Sequence, residues 1–259
     1  SSLLEGAPNH DYIVGWLDCI ARGNSLGRGQ IHATRYLHEG EDPNPQETLK
    51  IKNQVLPSRI FGVFPKSLLH YFMSPFTNNL GYWGINTAKY ILSLRKHTFR
   101  QSHGAFHFLL DYVPNWEYSA GRGGLIQYQS FIPKETAEAA WTEILKLSHK
   151  NHLPSYLGVT KRHRPDKFLL THAVDGFSLA MDFKVTNNNR ARLSAMLQDF
   201  DQIVLNAGGR FYFAKNSETT AETATKFYGK ETLDKFKKLK KRCDPHGLLE
   251  TDLYRRVFG

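Results

Sequence analysis

The chain has 259 residues, enough for one large domain or two smaller ones with a sizeable core. Hydrophobic residues at 41% and charged residues at 22% are the proportions of a globular protein and exclude a disordered or fibrous chain. A formal charge of +10 calls for an anionic partner: nucleic acid, a membrane surface or a phosphorylated ligand.

Much of that charge falls at Lys230, Lys235, Lys237, Lys238, Lys240, Lys241 and Arg242. No zinc-finger spacing or RNA-binding signature accompanies the cluster, so nucleic acid is not the expected partner, and a solvated helix face explains it as well. Cys19 and Cys243 are too far apart in sequence to suggest a disulfide framework or a metal pair. A reducing compartment is the simpler assumption, and no metal site is expected. No signal-peptide pattern opens the chain, and no run approaches the roughly 18 apolar residues of a membrane span. The first residue is Ser1 rather than methionine, as in a piece of a longer protein.

In chain order, residues 11–20 read as a strand, with Tyr12, Val14, Trp16 and Asp18 on one face. The glycine-rich turn 23–29 lacks both the P-loop and the dinucleotide fingerprint. Residues 30–37 complete a hairpin, and 39–46, with Pro43 and Pro45, read as a loop. From 56 to 99 aromatic and apolar residues crowd together, among them Phe61, Phe64, Phe72, Phe76, Trp83 and Tyr90, interrupted by Pro57, Pro65, Pro75, Gly81 and Gly84. Asn86 is a candidate N-cap for a helix over 87–94, with Lys89, Arg95, Lys96 and Arg100 as a basic flank. The stretch reads either as short helices packed on the core or as a lid or greasy entrance resting on a membrane surface.

Residues 106–113 read as a strand and 116–124 as a loop. Residues 125–133 alternate cleanly, Gln127 and Gln129 on one face and Ile126, Tyr128 and Ser130 on the other. Two glutamines side by side suit solvent or a ligand, because a dry core would leave their amides without partners. Pro133 falls near the first turn of a helix over 133–150. Strands follow at 156–163, carrying Lys161, and at 177–185, with Ser178, Ala180 and Asp182 opposite Phe177, Leu179, Met181 and Phe183. A helix over 187–207 places Leu193, Met196, Leu197, Phe200 and Val204 in one stripe. The element order predicts an α+β fold: an antiparallel sheet with helices packed on one face.

The stretch from Gly208 to Ser217 organises the remainder. Two glycines end the helix, a strand Phe211-Tyr212-Phe213 follows, and Lys215 arrives where a new helix begins. It reads as a solvated strand-end lysine or as one held at a site. Short helices at 219–228 and 231–242 lead to Asp244-Pro245-His246-Gly247.

The segments 11–19, 125–129, 176–183 and 208–223, the Asp-Pro motif at 244 and Asp252-Leu253-Tyr254-Arg255-Arg256 recur in one family in this order. Together they resemble the C-terminal half of the FAD-linked oxidases of the vanillyl-alcohol oxidase superfamily, above all members that oxidise a hydroxyl of a polyprenyl-phosphate sugar, a precursor of cell-envelope polysaccharide. The resemblance implies a substrate (cap) domain over 1–208, with the aromatic-rich stretch 56–100 as an insertion. It also implies a C-terminal segment, 209–259, that returns to an FAD-binding domain lying outside this chain. Catalysis falls to Lys215, the family's lysine beside the flavin, which would also accept a proton if burial favoured its neutral form. Lys215 and Tyr212 would face the cofactor. Gln127, Gln129, Lys161, Trp16, Tyr212 and Ser178 would line the sugar, with Lys161 suited to a phosphate and Trp16 serving as an aromatic wall or a core residue. The implied location is cytoplasmic or peripheral to the inner membrane. Ala180, Ala120 and His163 depart from the family, which has a cysteine, a tyrosine and an apolar aromatic there, so the substrate is expected to differ. The competing expectation is a non-catalytic binding module for anionic membranes or phosphate ligands.

Overall fold

A computed structural model describes residues 9–60, 62–95, 98–108 and 113–259. The chain forms two compact units, one comprising residues 1–13 and 30–124, the other 14–29 and 125–259.

The second unit holds most of the regular structure: most of β1 (Tyr12–Leu17) and all of β5 (Leu125–Pro133), β6 (Leu157–His163), β7 (Gly176–Lys184) and β8 (Arg210–Phe211), in the sheet order β1-β6-β7-β5-β8, while β2 (Gly29–Thr34) falls almost wholly in the first unit. β6 with β7, β7 with β5, β5 with β8, and β1 with β6 all pair antiparallel. Alternation sends Leu179, Met181 and Phe183 of β7 and Tyr128 and Ile132 of β5 to one face. Two helices of this unit, Ala137–Lys150 and Arg190–Asn206, cover that face with Ala140, Ile144, Leu193, Met196, Leu197 and Phe200. Each large apolar side chain among them, fully buried, contributes about 1.5 to 3 kcal/mol, so the register is held firmly. The expected α+β architecture is therefore present. A smaller cluster of Ala224, Leu233, Val257 and Phe258 joins the C-terminal helices Ala221–Tyr228, Lys230–Cys243 and Asp252–Val257.

Helix Arg190–Asn206 ends as the paired glycines foretell. Gly208 has φ +71°, its N–H donates to the Leu205 carbonyl, and the Gly209 N–H donates to that of Val204 at 2.8 Å. Other local expectations are corrected. Pro133 closes β5, and the helix begins only at Ala137. The strand expected over 211–213 is two residues long, because the chain leaves the sheet at Tyr212. Both cysteines are free, and burial pushes the Cys19 thiol up to about 12.

The first unit is made of short pieces, including a two-residue ladder, β3 (Arg59–Ile60) with β4 (Phe64–Pro65). Its longest helix, α1 (Asn79–Ser93), begins eight residues before the expected start. Asn78 caps it by accepting from the Gly81 N–H at 2.9 Å, while Asn86 is buried within it. Gly81 does not break this helix; a Cβ there would lie 2.2 Å from the Phe76 carbonyl oxygen, so glycine permits the close approach. The loop expected over 39–46 gives way at Pro45 to a short helical turn, Pro45–Thr48. The strand expected over 106–113 is replaced at its start by a helical turn, His103–His107. Its centre, 109–112, lies outside the described residues, as do Phe61 and Lys96.

Candidate functional site

The sheet face opposite the two covering helices carries the polar residues. Cross-strand partners share a face, so the register assigns it. Trp16 pairs with Val159, and Val159 with Ala180. Lys161 pairs with Ser178, and Ser178 with Phe131. Gln129 pairs with Ala180, Gln127 with Asp182, and Phe131 with Arg210. The sequence-predicted Trp16, Lys161, Ser178, Gln127 and Gln129 therefore occupy one face, with Tyr212 and Lys215 at its β8 edge. From β1 to β8 the face spans four strand spacings, roughly 19 Å. That is a trough rather than a point, suited to an elongated ligand.

Each residue has a distinct setting. The Gln127 amide donates through Nε2 to Asp182 Oδ1 at 2.6 Å, which leaves its Oε1 as an acceptor. Trp16 is buried, and so is Ser178, whose Oγ lies 2.8 Å from His163 Nε2. Lys161 and Lys215 are exposed, and neither ammonium has a carboxylate partner within salt-bridge distance among the described residues. Two unneutralised cations on one face suit an anionic ligand or developing negative charge.

At the β8 end, a row of rings includes residues that the sequence did not flag. Phe131 packs against His163 at 4.8 Å and against His172 at 4.5 Å, and His172 packs on Tyr212 at 4.8 Å. Burial holds His163 down at about 4, with further lowering from its neighbours His172, Lys161 and Arg162. Burial likewise lowers His172. Neutral imidazoles keep this corner from adding to the positive charge.

Lys215 sits in a turn. Its N–H and that of Asn216 both donate to the Tyr212 carbonyl, at 2.9 and 3.0 Å. The Tyr212 N–H reaches the Gln129 carbonyl at 3.3 Å, and Asn216 Oδ1 accepts the Gln129 N–H at 2.7 Å. What is fixed is the lysine's backbone; its side chain is exposed, contrary to the idea that burial would prime it. Among the described residues, Asn216 Nδ2 is buried without a hydrogen-bond partner, an expensive state for a donor. The sequence singled out neither Asn216 nor His172. Their partners lie 87 and 40 residues away by the numbering, and no local periodicity links them.

The pyrimidine edge of a flavin presents carbonyl and nitrogen acceptors, for which the Lys215 ammonium, the Asn216 amide and the Tyr212 ring, all carried by one turn, would be suitable neighbours.

Two comparisons bear on the face. Residues 130–257 match the family described as D-arabinono-1,4-lactone oxidase. The chain is also similar to the decaprenylphosphoryl-β-D-ribose oxidase of Mycolicibacterium smegmatis, at 27% identity over 252 residues, 96% of this chain and 51% of the relative. The chain thus spans about half the length of the curated relative it matches. Both agree with the resemblance to FAD-linked oxidases read from the sequence motifs.

Proposed function

We propose that this chain is the substrate-facing part of an FAD-dependent oxidoreductase that oxidises a CH–OH group of a sugar or polyol by hydride transfer to flavin. The observation that carries the reading is the single sheet face holding Trp16, Lys161, Ser178, Gln127 and Gln129, with Tyr212 and Lys215 at its edge. The similarity to the M. smegmatis enzyme supports it and suggests a substrate carried on a lipid phosphate.

FAD supplies the hydride acceptor, and residues 209–259 would return the chain to the domain that holds it, residues 1–208 forming the substrate domain. The chain's own residues bind and orient the substrate. Gln127 Oε1 and the Gln129 amide take sugar hydroxyls, Lys161 takes a phosphate as a point charge, and Trp16 offers a flat wall. Tyr212 and Lys215 face the cofactor. The substrate hydroxyl gives up its proton to solvent, the Lys215 ammonium stabilises the alkoxide so formed, and the hydride would then be lost from the carbon to FAD as the carbonyl forms. Ala180, small where the family has a cysteine, leaves room for a different sugar.

In the full-length protein, Lys215→Ala should slow flavin reduction by substrate at least 10²-fold, on the scale of losing one electrostatic donor of about 3 kcal/mol, while FAD absorbance is retained. Sugars and polyols are screened by anaerobic bleaching of the flavin. Reduction kinetics unaffected by the substitution would refute the role. A full-length protein that takes up no flavin would instead favour a non-catalytic module for anionic membranes or phosphate ligands.

A further inference from the structure

The short β8 leaves a gap that Asn216 fills. β8 pairs with β5 only at Ser130↔Phe211 and Phe131↔Arg210. One residue further along, the Gln129 N–H points to where a longer β8 would have supplied a carbonyl. No strand carbonyl is there, and the side-chain oxygen of Asn216 takes the bond at 2.7 Å. The same residue donates its backbone N–H to the Tyr212 carbonyl at 3.0 Å, beside the Lys215 N–H at 2.9 Å. The turn that carries Lys215 is thus closed on itself by the Tyr212 carbonyl and tied to Gln129 at two points, by Asn216 Oδ1 on its N–H and by the Tyr212 N–H on its carbonyl at 3.3 Å. Asn216 is 2% exposed, so water does not compete for the bond.

We infer that Asn216 is the positioning residue for Lys215, fixing the lysine turn against β5 so that the ammonium and the Gln129 side chain address the same substrate oxygen. This rests on the oxidoreductase reading above. The physical need is clear. Lys215 is exposed and its side chain is flexible, so only its backbone can be placed in advance, and a displacement of about 1 Å can cost roughly 10²-fold in rate. An amide suits the task because its oxygen replaces the missing carbonyl without placing a second charge beside the ammonium.

The test uses the full-length protein loaded with FAD and compares Lys215→Ala, Asn216→Ala, Asn216→Asp and the double variant K215A/N216A. Flavin reduction is followed anaerobically, over hours where slow. Asn216→Ala should lower the limiting reduction rate about 10- to 100-fold while substrate dissociation changes less than about threefold, because positioning acts on the rate and not on uniform binding. Asn216→Asp keeps an oxygen for the Gln129 N–H but puts a carboxylate beside the ammonium, and should recover only part of the rate lost in Asn216→Ala. In the K215A background the Ala substitution should cost less than about twofold, since no ammonium remains to be placed. FAD content and thermal midpoint confirm that each variant is folded. If Asn216→Ala fails to retain FAD, Asn216→Ser, too short to reach Gln129, takes its place with the same expectations. The inference is overturned if K215A slows reduction and N216A does not, or if N216A costs the same factor with and without Lys215. If K215A itself leaves reduction unchanged, the oxidoreductase role of the lysine fails instead, and the two failures are distinguishable.

Discussion

At the end of β6, His163 is accommodated as a polar residue. Its ring packs on Phe131, and its Nε2 lies 2.8 Å from the Ser178 hydroxyl. Burial, reinforced by His172, Lys161 and Arg162, holds it near 4, below an unfolded value of about 6.5. As pH falls through about 6.5, the unfolded chain takes up a proton that the folded chain refuses until about 4. Stability present above that window is therefore lost within it. His163→Gln keeps a hydrogen-bonding partner for Ser178 and cannot titrate. Its loss of urea stability between pH 7 and pH 4.5 should be smaller than that of the unsubstituted protein by on the order of 1 kcal/mol, the full shift being discounted for partial exposure. Parallel losses in the two proteins would remove His163 from the acid response. At this scale the sequence was legible wherever period-2 alternation decides the matter: Gln127 with Gln129, and Ser178 with Ala180 and Asp182. It was not legible at Asn216 or His172, whose places are set by where β8 stops and by the loop at 164–175, both outcomes of packing.

Elements are joined beneath the sheet by a second buried titratable group. Asp201, on helix Arg190–Asn206, accepts from the Tyr128 hydroxyl of β5 at 2.9 Å and from the Thr223 hydroxyl of helix Ala221–Tyr228 at 3.4 Å. Burial raises its carboxyl to about 6, against the two hydrogen bonds that pull it down. The sign is opposite to that of His163. The folded state binds the proton more tightly, so the favourable contribution is complete below about 3.9 and is lost as pH rises through about 6. Asp201→Asn preserves an acceptor for Tyr128 and removes the charge. It should be more stable than the unsubstituted protein by about 1 to 3 kcal/mol at pH 8, a margin that shrinks toward pH 4 in paired denaturation curves. A margin that does not change with pH would show that the carboxylate ionises freely. Helices with long apolar stripes, such as that through Leu193, Leu197 and Phe200, were readable from period alone. The start of α1 was not, because Gly81 and Gly84 look like breaks unless the Phe76 carbonyl is seen against Gly81.

The molecule as a whole carries a charge of +10 and, in its first unit, an apolar stripe open to solvent. Leu80, Trp83 and Ile91 lie along one side of α1 at spacings of three and eight, all exposed, with Leu94 and Arg95 just beyond its end. The expectation that these short helices simply pack on a core does not account for Leu80 at 75% and Trp83 at 54% exposure. Among the described residues no helix is long and apolar enough to cross a membrane. An amphipathic helix beside basic residues instead suits the plane of an anionic surface, where each nearby cation adds about 1 kcal/mol and each buried large apolar side chain roughly 1.5 to 3 kcal/mol. On the proposed reading, such a surface is where a lipid-linked sugar would be met. The full-length protein should therefore sediment with vesicles containing phosphatidylglycerol at low salt and not with neutral vesicles. The paired substitution Trp83→Glu and Ile91→Glu should weaken that binding more than about tenfold, since two buried apolar side chains are lost and two negative charges gained. Flavin reduction by a water-soluble sugar should be unchanged in the same protein, because neither residue lies on the sheet face. Sedimentation unaffected by the two substitutions would assign the membrane contact to another surface.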